Sequence, residues 1–426
     1  MEWTLATIAV ALLAYAAISG RLEGTPVTAP IVFVAFGLLV GPEALGLVDL
    51  PSHSEPVKLL AEATLTVVLF SDAARINLRA LRREIAIPVR LLGIGLPLTL
   101  VAGLVAAVAL FADLAWPEAL LLAVVLAPTD AALGQAVVTL PGLPSRIRQG
   151  LNVESGLNDG ICVPIFFIAL AIAEAEAGAI GDGAAVRLVA EQIGYGIAAG
   201  IAAGAAAAAV VLTAERHADG DAAWLQIGPV AGAALAYGVA APIGGSGFIA
   251  AFVGGMVFGG LLHGRAEWVG DLLEEGGALL GAITFIVFGA VLLGPAIGHL
   301  TPAIIVYALS SLTLVRMLPV AISLVGTHVR LPTVAFLGWF GPRGLASIVF
   351  AILLEEGSDL PHEETILLTV FATVGLSVLL HGLTAASLAK RYARWFDAST
   401  PDRVPAEAAP SAEVPWRRSP GSRRPR

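Results

Sequence analysis

The chain has 426 residues, 57% of them hydrophobic and 13% charged, with 47 glycines and a mean hydropathy of +0.86. Such a composition excludes a water-soluble domain and reads as a polytopic helical membrane protein, whose small residues let helices approach closely in lipid. The net charge of −9 is spread over loops and points to no partner, and the lone cysteine, Cys162, excludes an internal disulfide.

Apolar runs near the roughly 20 residues needed to cross a bilayer fall at 4–19, 26–42, 57–73, 87–111, 117–138, 150–173, 185–213, 224–240, 246–262, 276–297, 302–325, 333–354 and 363–386, about thirteen in all. The first is preceded only by Glu2, not by a basic segment, and is expected to be a retained helix rather than a signal peptide. From 397 to 426 the chain turns polar and arginine-rich, and this basic tail is expected to be disordered. Odd-numbered loops hold Arg21; Arg75, Arg79, Arg82 and Arg83; Arg146 and Arg148; Arg216; Arg265; and Arg330. Even-numbered loops hold only Lys58 and Arg187, and the twelfth is acidic, without Lys or Arg. By the positive-inside rule the N-terminus lies outside and the C-terminus in the cytoplasm, in the cell (inner) membrane.

Three acids stand in two consecutive apolar runs: Asp130 in AVVLAPTDAALGQAVV, and Glu154 and Asp159 in NVESGLNDGICVPIFFIAL. Ionisable groups at bilayer depth are costly and are a mark of ion or proton paths. Pro128 removes a backbone donor and disfavours helix at Ala127, so the fifth helix is expected to break near 127–131, close to mid-membrane. The bland alternative is a proline kink with Asp130 capping the second half-helix. Freed carbonyls and half-helix ends at such a break can bind ions.

On the sixth helix, residues four apart share a face. Glu154 aligns with Asn158, and Ser155 with Asp159. The first pair reads as structural, with Asn158 reaching the broken fifth helix. The second reads as a cation site: the Asp159 carboxylate and Ser155 hydroxyl, completed by a freed carbonyl at Thr129. Asp72, at the end of the third helix, is either an interfacial acid paired with Arg75 or Arg79 or a further cation ligand. Cys162 reads as a small core hydrophobe. No two of the seven histidines have metal-ligand spacing, and most fall in loops or at helix ends.

A second proline with a charge at depth follows in the twelfth helix, Gly341-Pro342-Arg343-Gly344. Interrupted helices in two halves point to an inverted-repeat transporter. With the seventh helix as linker, helices 1–6 and 8–13 form the repeats, and the fifth and twelfth correspond. Asp130 at one set of half-helix ends and Arg343 at the other would balance the helix dipoles where they cross. Arg343 needs an anion, for which Glu154 is the candidate. Arg316, in the eleventh helix, also needs one that the sequence does not name.

PTDA in helix five, ESGLNDG in helix six and GPRGLAS in helix twelve together resemble the sodium/proton exchanger superfamily, in particular its NhaP-like branch, over roughly residues 5–390. The resemblance implies an NhaA-like all-α fold with crossed discontinuous helices and a homodimer. It places a transmembrane exchanger domain over 1–396, with a dimerisation part (about 1–83 and 224–297), an ion-translocating core (about 84–173 and 302–390) and a linker helix (about 185–213). It implies that Asp159 binds a cation or a proton, with Thr129, Ser155, Asp130 and Asp72 contributing, and that Glu154 and Arg343 form a buried structural ion pair. Electrogenic relatives carry Asp where Asn158 stands, so Asn158 implies electroneutral one-for-one exchange.

The expectation is a transporter and not an enzyme, exchanging Na⁺, Li⁺ or K⁺ for H⁺, with no cofactor and no nucleic-acid partner. A K⁺ efflux path or cation channel on the same fold is the alternative, and proton-coupled transport of an organic substrate a weaker one. No Walker, dinucleotide or CxxC motif supports ATP-driven pumping.

Overall fold

The computed structural model describes residues 2–22, 25–76, 86–130, 133, 143–179, 181–217, 221–262, 270–358 and 360–399, and these contain helices and no strand. The expected positions Arg79, Arg82, Arg83, Arg265, the second half of the fifth span and the tail beyond Ser399 lie outside them.

The helices are α1 (Glu2–Leu22), α2 (Ala29–Val40), α3 (Glu55–Ala74), α4 (Ala86–Leu110), α5 (Trp116–Val125), α6 (Ser145–Glu176) and α7 (Asp182–His217). There follow α8 (Ala222–Ala240), α9 (Gly247–Leu262), α10 (Asp271–His299), α11 (Pro302–Ser323), α12 (Leu331–Trp339), α13 (Leu345–Gly357) and α14 (Glu363–Ala398). Among the described residues, eight of these helices are long and apolar enough to cross a membrane. Prolines open α2, α3, α5, α11 and α12, where a missing N–H is harmless. Glu118 accepts the Ala115 amide at 3.0 Å and closes the first turn of α5.

Two sets of helices can be distinguished by packing. In one, α9 lies between α7 and α3, and α10 joins α3 to α2. Gly259 of α9 is pressed on the carbonyl of Ala74, where any Cβ would overlap it. In the other, α5 lies between α4 and α6, and α14 runs along α11. The helix α3 touches both sets, packing on α6 and α13 as well. At one of its ends Lys58 pairs with Glu356 at 2.5 Å and Ser52 donates to Glu355, tying α3 to the end of α13. At its other end Arg75 pairs with Glu274 of α10.

Candidate functional site

The site is built on two interruptions that meet. The helix α5 ends at Val125, and Pro128 cannot continue it. After α12 ends at Trp339, the chain runs without helix through Phe340–Gly344 before α13 begins. The two non-helical stretches cross and bond directly: the Asp130 amide donates to the Pro342 carbonyl at 2.8 Å.

Backbone groups freed at the first break find side-chain partners, as buried polar groups must. Val125 O accepts from the Ser347 hydroxyl at 2.8 Å. Ala127 O accepts from Arg343 Nη1 at 2.9 Å and from Asn158 Nδ2 at 3.3 Å. Pro128 O accepts from Arg343 Nη1 at 3.2 Å, and Thr129 O from the Ser155 hydroxyl at 2.5 Å. The Arg343 guanidinium thus faces the negative end of α5. Asp130 sits at the positive end of α13, where its Oδ2 accepts the Leu345 amide at 2.9 Å. Each charge opposes the dipole it faces. Gly344 permits this approach, because a Cβ there would overlap the Asp130 carboxylate.

The helix α6 runs past the crossing with Glu154, Ser155, Asn158 and Asp159 all buried. Asn158 donates to Ala127 O and, at 3.4 Å, to Thr129 Oγ1, while its own Oδ1 accepts from Cys162 Sγ at 3.1 Å. Cys162 therefore packs in the core and also fixes the Asn158 amide. One carboxylate oxygen of Asp159, Oδ1, is buried with no hydrogen-bond partner among the described residues. Asp130 and Asp72 are the carboxylates within electrostatic reach of it. Asp72 reaches α6 at Gly156, one residue from Ser155. Arg75, one of its two expected partners, instead pairs with Glu274, and Arg79 lies outside the described residues.

The buried ion pair differs from the expected one. Glu154 Oε1 pairs with Arg316 Nη2 at 2.6 Å, both side chains only 2% exposed. Arg343 bonds the Ala127 and Pro128 carbonyls through Nη1 and reaches Glu154 only electrostatically. The cause is position. Arg343 lies in the crossing itself, next to carbonyls that have lost their helical donors. Arg316 projects from α11, and its guanidinium lies against Gly341, where no side chain blocks it.

Ser347, Ser377 and His381 also bear on the crossing and were not singled out in the sequence. A hydroxyl or imidazole in an otherwise apolar helix was the available signal. Among the described residues no group of three or more His, Cys, Asp or Glu side chains could hold a metal ion. The oxygens at hand are carboxylates, a hydroxyl and backbone carbonyls, a set that suits a weakly held monovalent cation or a proton.

The chain is 27% identical over 425 residues to the K⁺/H⁺ antiporter NhaP of Alkalimonas amylolytica, covering 96% of this chain and 69% of that protein. To the Na⁺/H⁺ antiporter NhaP of Pseudomonas aeruginosa it is 28% identical over 294 residues, covering 64% of this chain and 65% of that protein. It thus spans about two thirds of the length of these relatives. The structure of the sodium proton antiporter MjNhaP1 from Methanocaldococcus jannaschii shares the fold, with a TM-score of 0.74 at 21% identity over 92% of this chain and 98% of that one. A sodium/hydrogen exchanger transmembrane family model matches residues 8–391, and the chain, a multi-pass helical membrane protein, belongs to that family.

Proposed function

We propose that the chain is a secondary antiporter exchanging a monovalent cation for H⁺, with both competing for Asp159. The observation that carries this is the buried Oδ1 of Asp159, with no hydrogen-bond partner among the described residues, one helical turn along α6 from Ser155, whose hydroxyl donates to the Thr129 carbonyl at a helix break. In this reading the carboxylate holds a proton or a dehydrated cation, never both. Ionised and empty, it is disfavoured in so dry a site, so that state crosses slowly. Competition then enforces exchange without a separate coupling device. Asp130 is already committed to the amide of Leu345, which leaves it an electrostatic part. Asp72 approaches from α3 and supplies a further oxygen.

Asn158 donates to two groups at the break and bears no charge, which supports electroneutral one-for-one exchange. Relatives named for K⁺ as well as Na⁺ keep K⁺ among the cations to be tried. We assign α1–α3 and α8–α10 to a dimerisation part and α4–α6 and α11–α14 to a moving core, in a homodimer with the N-terminus outside. No cofactor is needed.

The test is reconstitution in proteoliposomes with an internal pH dye, under an imposed Na⁺ or K⁺ gradient. A cation-driven pH change that is unaltered when the membrane potential is clamped is the expected result. A pH change that follows the potential would mean electrogenic exchange or a conductive path.

A further inference from the structure

The second break is held from α14 by two residues. The backbone amide of Arg343 donates to Ser377 Oγ at 2.7 Å. Ser377 Oγ lies 3.1 Å from His381 Nδ1, and His381 Nε2 lies 3.0 Å from the carbonyl of Trp339. Ser377 is wholly buried and His381 is 1% exposed. His381 Nδ1 also lies 3.1 Å from the Ser377 backbone carbonyl. The Trp339 carbonyl can only accept, so the tautomer that engages it carries its hydrogen on Nε2. Through Ser377 and His381, α14 thereby satisfies a donor at one end of the break, the Arg343 amide, and an acceptor at the other, the Trp339 carbonyl.

The seat is reinforced on both sides. The indole of Trp339 packs at 5.0 Å from the His381 ring, and its Nε1 donates to Thr384 Oγ1 at 3.0 Å, one turn further along α14. At the start of α12, Thr333 and Tyr392 share a hydrogen bond of 2.8 Å, and Arg330 donates to Ser399 O at 3.1 Å. The half-helix α12 is thus fastened to α14 along its whole length.

We propose that Ser377 and His381 are positioning residues for exchange. They hold the Trp339 carbonyl and the Arg343 amide at the two ends of the break, so that the Arg343 guanidinium meets Ala127 and Pro128 and the start of α13 meets Asp130. The Thr129 carbonyl and Asp130 then keep their places opposite Asp159. The proposal rests on the antiport reading for its kinetic consequence and on geometry alone for its structural one.

The test pairs two readouts on Ser377→Ala, Ser377→Thr, His381→Leu and His381→Gln in the full chain. Hydrogen–deuterium exchange over 340–344 is expected to quicken about tenfold in Ser377→Ala and His381→Leu, because a buried amide or carbonyl loses its partner. Thr keeps the hydroxyl and Gln an N–H near Nε2, so these variants are expected to restore slow exchange. In proteoliposomes the half-saturating cation concentration is expected to rise about tenfold in the first pair and to recover in the second. Unchanged deuterium uptake in Ser377→Ala, or Thr no better than Ala, overturns the proposal. If His381→Leu yields no folded protein, the two Ser377 variants decide. An unmodified chain that drives no exchange at all, with deuterium uptake responding as described, would count against the antiport reading and not against this seat.

Discussion

Glu154 and Arg316 form a salt bridge with almost no access to solvent. Removing one partner leaves the other buried and charged, which typically costs about 3–5 kcal/mol. Arg316→Leu is therefore expected to lower the folded yield and midpoint temperature in detergent sharply, and the double variant Arg316→Leu/Glu154→Leu to recover much of the loss. A double variant as unstable as the single one would contradict the pairing. Both breaks were legible in the sequence from a proline and a charge at depth, and so was the reach of Asn158 of α6 to the first break. The choice of partner for Glu154 was not. Two buried arginines compete for one carboxylate, and the outcome depends on how α11 lies against α6 and on which carbonyls the crossing frees. The role of His381 is hidden for a related reason: its partner Trp339 lies on another helix, 42 positions away in sequence.

At the scale of elements, the crossing works because α13 begins where Asp130 can accept its first amide, and Gly344 has no side chain to prevent it. Gly344→Ala is expected to push the Asp130 carboxylate aside and to slow exchange on the order of a hundredfold, the effect of a displacement of about 1 Å in a positioned site. The folded yield should change far less, since α12 and α13 keep their packing. An Ala variant that exchanges at the normal rate would mean that the Asp130–Leu345 contact has no bearing on transport. The helix boundaries expected from apolar runs fall within a few residues of most of those described. Among the uninterrupted helices the largest differences are at the ends of α6, α10 and α14, where turns extend beyond the apolar window and carry Arg146, Asp271 and Arg394.

At the scale of the described molecule, α3 is one of the elements that join the two sets of helices, with α7 on α6 another. Lys58 with Glu356, and Ser52 with Glu355, close the N-terminal end of α3 against α13. If the proposed core moves against the proposed dimerisation part during transport, these contacts have to part in every cycle. A short thiol-reactive crosslinker between Lys58→Cys and Glu356→Cys is expected to stop exchange, and cleaving it to restore the rate. Exchange that continues with the link in place would rule out relative motion of α3 and α13. Individually such partly exposed ion pairs stabilise little, so loss of Lys58 alone should alter the balance between states more than the fold.

In the proposed mechanism one carboxylate serves two ions, and the most direct measurement of this is proton release on cation binding. Purified protein in weakly buffered detergent solution, with a pH indicator, is titrated with Na⁺ and with K⁺ at a series of pH values. Competition at Asp159 predicts release approaching one proton per cation bound where the site starts protonated, fading as the starting pH rises, and none from Asp159→Asn. Cation binding without proton release, or undiminished release from Asp159→Asn, would contradict it.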